Sequence, residues 1–557
     1  MAFLRRAAAV LVLAAAVQAA SRAPVRTRHA MVVTRETHAT SVGVAVLKAG
    51  GNAVDAAVAV GLALAVTHPA AGNVGGGGFM LLRFADGRTT FLDFRERAPE
   101  RASRNMYLDA AGNPTRDSTV GYRAAGVPGT VAGLEFAHRK YGRKPWAELI
   151  TPAVELAREG FPVSWSLAAS LRGASKLLEP FADSKRIFLN GGKFYESGDT
   201  LVQPELARTL DRIRRDGAKG FYEGETARLL AADMEKHGGL ISLADLKNYR
   251  VMERRPLTGK YRGYDIISAP PPSSGGVGLL QMLGVLEGSG YEKSGAGSAA
   301  AWHYMAEAMR RYFADRATHL GDPDFVKVPV SRLLDPHYIA GLRQSILRDR
   351  ATPSKEIHAG EMPAGESNET THYSIVDPEG NAVAVTYTLN GGYGNGVTAT
   401  GLGFLLNNEM DDFAAKPGFP NYYGLVQGEP NAIQPRKRPL SSMTPTVVLR
   451  DGKLYLVVGS PGGPTIINTV LQVLVNVLDF GMNAQEATDF PRVHHQWLPD
   501  ELRVERGISP GTLALLEARG HRLHSVNALG EVAAILWDGQ WLQGAPDCRT
   551  DCTAEGF

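Results

Sequence analysis

Apolar positions recur with helical spacing in two stretches near the start, residues 36–49 and 53–66, which Gly50-Gly51 separates as a stop and Asn52 restarts as an N-cap, with Asp55 in the first turn. The second stretch is apolar on every face, which predicts a helix buried between layers. Residues 79–84 and 90–95 read as a strand pair turning at Asp86-Gly87. The loop ahead of them, Asn73-Val74-Gly75-Gly76-Gly77-Gly78, lacks the Gly-Lys-Ser/Thr ending of a phosphate cradle and leads into a strand, so its glycines point to close backbone packing. Alternating apolar and charged positions then predict helices at 129–141, 145–159, 203–216 and 224–237, an outer cover. Pro270-Pro271-Pro272-Ser273-Ser274-Gly275-Gly276 forms a rigid turn into an apolar helix at 277–286, and 300–318 is amphipathic. A polar, small-residue run, 360–369, ends abruptly in a strand at 371–376, which turns at Asp377-Pro378-Glu379-Gly380 and returns as 381–389. A further hairpin turns at Asp451-Gly452, and 464–480 is a long apolar helix with Pro464 at its first turn and Gly481 at its end. Strands, long helices and strands again predict a layered α+β fold.

Composition narrows the classes. The 557 residues exceed the roughly 250 to 300 at which single cores stop growing. The formal charge of +3 includes Arg5 and Arg6, so residues 21–557 carry 3 minus 2, or +1, which excludes a nucleic-acid binder on composition. Arg5-Arg6, an apolar run at 7–17 and Ala19-Ala20 read as a secretory signal over residues 1–20. Eleven apolar residues cannot cross a bilayer that needs about 20, so the expectation is a periplasmic or secreted protein with no membrane span once the signal is removed. Cys548 and Cys552 are the two cysteines, four apart near the end, and an oxidising compartment predicts a bridge between them.

Thr370-Thr371-His372-Tyr373-Ser374, Thr386-Tyr387-Thr388-Leu389-Asn390, Leu405-Leu406-Asn407-Asn408-Glu409-Met410-Asp411-Asp412-Phe413, Arg438-Pro439-Leu440-Ser441-Ser442-Met443 and Gly459-Ser460-Pro461-Gly462-Gly463 follow one another in order. This set closely resembles the γ-glutamyltransferase family, the glutathione hydrolases among the N-terminal nucleophile hydrolases. The resemblance covers nearly all of the chain after residue 30 and implies a four-layer αββα sandwich formed by two intertwined autoproteolytic chains. It places the cut between Glu369 and Thr370, giving a large chain, 21–369, and a small one, 370–557, of 188 residues (557 minus 369). The freed Thr370 would be nucleophile through its hydroxyl and base through its own α-amine, with no cofactor or metal.

A γ-glutamyl donor presents a scissile amide, an α-carboxylate and an α-ammonium. For the oxyanion formed at the amide, the resemblance implies backbone N–H groups at Gly462 and Gly463, ahead of a helix N-terminus. For the α-carboxylate it implies Arg95, whose planar fork suits a carboxylate, with Ser441 and Ser442. For the α-ammonium it implies Asn390, Glu409 and Asp412. Thr388 would hydrogen-bond the nucleophile, Thr371 would pack or orient the new terminus, and Tyr423 would cover the site from a lid loop at 416–424. Glutamate at 409 stands where part of the family has glutamine, and Cys548 where proline would be expected. The implied partners are small molecules, namely glutathione or other γ-glutamyl compounds as donors and water, amino acids or dipeptides as acceptors. Three rivals remain: a glutaryl-cephalosporin-type acylase of the same fold, a serine hydrolase using Ser460, and an unprocessed secreted binding protein. Ser460 lacks the Gly-x-Ser-x-Gly spacing, and Pro461 after it removes a backbone donor.

Overall fold

The computed structural model describes residues 21–357 and 370–557, so the signal stretch 1–20 and the Glu369 side of the expected cut lie outside the described residues. Two seven-stranded sheets form the centre. The first runs Val25–Thr27, Leu542–Pro546, Ala533–Trp537, Lys453–Gly459, Thr446–Arg450, Tyr264–Ser268, Leu257–Tyr261. The second runs Thr553–Gly556, Met31–Thr34, Thr371–Val376, Ala382–Thr388, Gly77–Arg83, Thr89–Phe94, Met252–Arg254. Both sheets mix strands from before and after residue 370, so two chains cut there would be interleaved rather than side by side.

Alternation along the strands of the second sheet sorts its two faces. Val32, Met80, Leu82 and Leu92 pack outward under the helices Thr37–Lys48 and Ala53–Thr67, whereas Met31, Val33, Phe79 and Leu81 face Val447 and Val457 of the first sheet. The first sheet is covered on its other side by Gly275–Leu286, Ala299–His319 and Thr465–Leu478. The result is the αββα sandwich expected. Ala53–Thr67 is buried at all of its positions, as its uniform apolarity predicted, and it starts at a capping box in which Asn52 and Asp55 satisfy each other's backbone N–H.

One expectation is corrected. Cys548 and Cys552 are free thiols, not a bridge, with Cys548 exposed and Cys552 half-buried. The Cys548 backbone N–H donates to Asp489 at 3.3 Å, and the Cys552 thiol lies 3.0 Å from the Thr550 hydroxyl, with burial pushing that thiol up to about 12. The tail is tied down instead by strand pairing of Thr553–Gly556 with Met31–Thr34 and by Arg549, which donates to Glu505 at 2.6 Å.

Candidate active site

Thr370 immediately precedes the Thr371–Val376 strand near the centre of the second sheet. The register Thr371↔Tyr387 sets Thr370 opposite Thr388, the last residue of the neighbouring strand, and their hydroxyl oxygens lie 3.4 Å apart. Thr388 Oγ1 also accepts from the Asn390 backbone N–H at 2.8 Å. Asn390 adopts a left-handed conformation, φ 75°, which bends the chain sharply after the strand, and its carbonyl accepts from the Tyr423 hydroxyl at 2.6 Å. Its side-chain amide donates to Asn408 O at 3.0 Å. Thr371 is fully buried in the strand, which fits packing rather than attack.

A small enclosed cavity of about 20 Å³ is lined by Thr370, Thr388, Asn390, Arg95, Glu409, Asp412, Tyr423, Ser441, Ser442 and Gly463, with Leu425, Met443, Pro464 and Ile466. Every residue expected at the site meets there except Gly462, which lies one residue back. Both glycines are required by geometry: Gly462 has φ 128° and Gly463 φ 53°, and a Cβ on Gly463 would fall 2.8 Å from the Tyr423 ring. They lead directly into the helix Thr465–Leu478, whose Thr465 hydroxyl donates to Gly462 O at 2.7 Å. The Tyr423 ring is therefore pinned between Asn390 and Gly463 as a closed cover.

Arg95 ends the strand pair and is fully buried. Its guanidinium pairs with Glu409 and, at 2.5 Å, with Asp412, and donates to Pro439 O at 3.3 Å and Leu440 O at 3.2 Å. Burial alone would favour its neutral form, but Glu409, Asp412 and Glu96 more than reverse this and hold it charged. The expected ammonium and carboxylate subsites are thus contiguous, with Arg95 between them. Ser441 Oγ accepts from Met443 N at 3.1 Å and Ser442 Oγ from Arg316 Nη2 at 3.2 Å, so both hydroxyl protons remain available to an anion. The rigid turn holds these serines in place: Ser274 N–H and Oγ both donate to Ser441 O, at 2.8 and 2.6 Å, and Ser273 Oγ donates to Met443 O at 2.6 Å.

Several participants went unassigned at the level of sequence. Glu96 is fully buried beside Arg95, and neither carboxylate oxygen has a hydrogen-bond partner among the described residues. Its only signal was adjacency to Arg95. Asp411 anchors the lid, accepting from Tyr422 N and from Ser118 Oγ, each at 2.8 Å, and burial raises its carboxyl to about 6. Arg316, read as one charge on an amphipathic helix, is buried behind Ser442.

Three carboxylates around one buried guanidinium cannot all ionise cheaply. Burial pushes Glu96 up to about 7 against the pull of Arg95, and burial likewise holds Glu409 well above the usual range. With the folded value of Glu96 above the unfolded one, the native state binds more protons between about pH 4.5 and 7, so the contribution of Glu96 to stability falls as pH rises through that window. Melting curves from pH 5 to 8 should show that slope, and Glu96→Gln should flatten it; an unchanged slope in the variant would place the titration elsewhere.

His372 is no alternative base. It is buried between the sheets, its Nδ1 2.8 Å from Thr386 Oγ1 and its Nε2 3.1 Å from Ser374 Oγ, and burial pushes it down to about 3, so it is neutral. Ser460 is also spoken for: its hydroxyl donates to Pro461 O at 2.7 Å, accepts from Glu531 N at 3.1 Å and does not line the cavity. Ser460→Ala should therefore keep acyl-transfer activity within about tenfold, at a stability cost of about 1 kcal/mol for the lost hydrogen bonds. Loss of activity in a folded, processed variant would restore the serine-hydrolase alternative.

The description Gamma-glutamyltranspeptidase matches residues 39–557. The chain belongs to the gamma-glutamyltranspeptidase family. Within it, this chain is 53% identical over 537 residues to a "Glutathione hydrolase proenzyme" of Escherichia coli (strain K12), covering 95% of this chain and 92% of that one. A crystal structure of cephalosporin acylase from Bacillus halodurans superposes with a TM-score of 0.85 at 27% identity, covering 97% of this chain and 98% of that chain. The crystal structure of Helicobacter pylori gamma-Glutamyltranspeptidase gives a TM-score of 0.57 at 44% identity, covering 63% of this chain and 99% of that chain. The protein is an acyl-transfer enzyme of this family, a γ-glutamyltransferase and hydrolase with the N-terminal nucleophile hydrolase fold. Among the described residues no helix is long and apolar enough to cross a membrane.

Proposed function

We propose that the precursor cuts its own backbone between Glu369 and Thr370, and that Thr370 then takes the γ-glutamyl group of glutathione or another γ-glutamyl amide as an ester. Water, an amino acid or a peptide amine removes the group in a second step. The observation that carries this reading is the convergence of Thr370, Thr388, the charged set around Arg95 and the glycine turn on one cavity beside a neutral, fully engaged histidine. With His372 unable to take a proton, the base is the α-amine that the cut itself creates. Attack by Thr370 Oγ1 on the γ-carbonyl forms an oxyanion at the N–H groups of Gly462 and Gly463, and collapse expels the leaving amine.

Ser441, Ser442 and Arg95 receive the α-carboxylate, and Asn390, Glu409 and Asp412 the α-ammonium. A cavity of about 20 Å³ holds little more than one water, so Tyr423 swings out with its loop to admit the donor, toward the cleft of about 880 Å³ that Asn421, Tyr422 and Lys416 line on the lid's outer side. The leader composition supports export to the periplasm or medium. The cephalosporin acylase alternative is disfavoured by the two carboxylates on Arg95, which a donor lacking an ammonium does not need.

Initial rates with a γ-glutamyl anilide and a dipeptide acceptor, both varied, test the two-step scheme. Parallel double-reciprocal lines and a γ-glutamyl-dipeptide product are expected. Intersecting lines that require both substrates bound together would contradict the acyl-enzyme.

A further inference from the structure

Arg95 already pairs with Glu409 and Asp412. A second buried guanidinium lies against the serine pair. Arg316, on the helix Ala299–His319, is 2% exposed and forms no ion pair among the described residues. Its Nε donates to Ser274 Oγ at 3.0 Å and its Nη2 to Ser442 Oγ at 3.2 Å, while Nη1 is buried with no hydrogen-bond partner. A buried guanidinium is ordinarily matched by a carboxylate, since leaving it alone is strongly unfavourable.

We propose that Arg316 is a positioning and specificity residue which, acting through Ser442, adds its positive charge to that of Arg95 in recognising the α-carboxylate of the γ-glutamyl donor. Ser442 Oγ already accepts from the guanidinium, so its own proton points away from Arg316 and is polarised as a donor to the bound carboxylate. The turn Pro270 to Gly275 contributes by holding both ends of the relay, because Ser274 Oγ accepts from Arg316 and donates to Ser441 O. The donor's carboxylate thus brings a negative charge toward a buried guanidinium that has no ion pair among the described residues.

The proposal rests on Ser442 as part of the carboxylate subsite, and its test separates the two claims. The donors are a γ-glutamyl anilide and a 4-aminobutyryl anilide, which is the same acyl group without the α-carboxylate. In Arg316→Gln the ratio of kcat/KM for the first over the second should fall roughly 10- to 100-fold, the loss of a hydrogen bond to a charged group, and should appear mainly in KM. Ser442→Ala should lower the same ratio. Arg316→Lys, which keeps the charge but not the fork, should fall between wild type and Arg316→Gln, and it carries the test if the glutamine variant does not fold: a ratio lowered at least about threefold is then expected. A ratio within about twofold of wild type in folded, two-chain Arg316 variants, with Ser442→Ala selective, overturns the role of Arg316 alone. A ratio unchanged in Ser442→Ala as well overturns the carboxylate subsite itself.

Discussion

Thr370→Ala yields one uncut chain, and γ-glutamyl transfer falls about 10⁴-fold or more, to assay background. In the proposed scheme the same hydroxyl serves both events, attacking the preceding carbonyl in the precursor and the donor amide in the mature enzyme. No other group near it can substitute, since Thr388 Oγ1 is occupied by Asn390 N, Thr371 is sealed in the strand, and His372 is neutral. Thr370→Ser, which retains the hydroxyl, should still be cut and should keep measurable turnover. Two chains of normal size from Thr370→Ala on a denaturing gel would contradict the assignment.

Asp412→Asn should lower kcat/KM for γ-glutamyl donors by roughly 30-fold to several thousand-fold, corresponding to about 2 to 5 kcal/mol for removing one partner of a desolvated charge pair. Asp412 Oδ2 sits 2.5 Å from Arg95 Nη2 at the edge of the cavity, where a donor's ammonium joins the same charge cluster. A glutaryl donor has the carboxylate and the scissile amide but no ammonium. For it the substitution frees part of Arg95 from a competing carboxylate, so the loss should be far smaller and could reverse to a gain. Equal losses on γ-glutamyl and glutaryl anilides would mean that Asp412 holds Arg95 in place without reading the amine.

The framework was largely legible because its signals are local. The Asn52 cap, the uniformly apolar helix Ala53–Thr67 and the hairpin at 377–380 each follow from residues within one turn of one another. The residues that line the cavity were named only through a resemblance, since nothing local distinguishes Arg95 from a surface ion pair or Ser441-Ser442 from an ordinary turn. What escaped depends on contacts far apart in the chain. The helix Ala299–His319 reads as amphipathic, yet Glu307, Arg310, Arg311 and Arg316 on it are all buried: Glu307 accepts from Thr352 Oγ1 at 2.6 Å, Arg310 donates to His495 Nε2 at 2.9 Å, Arg311 donates to Ser345 O at 2.8 Å, and Arg316 lies behind Ser442. Charges that would mark a solvated face in an isolated helix are buried here because partners lie across the core. Glu96 escaped for a related reason, as its cost comes first from burial, with Asp412 adding to it from over 300 residues away. The cysteine pair misled because proximity in sequence says nothing about which way two thiols face.

The central claim is that Thr370 becomes a chain terminus and the nucleophile. Intact-mass spectrometry of the purified protein, before and after brief exposure to a γ-glutamyl donor, tests it most directly. The account predicts two chains, the smaller running from Thr370 to Phe557, and a γ-glutamyl adduct on that smaller chain that maps to Thr370. A single uncut chain that nevertheless turns over the donor, or an adduct on any other residue, would contradict it.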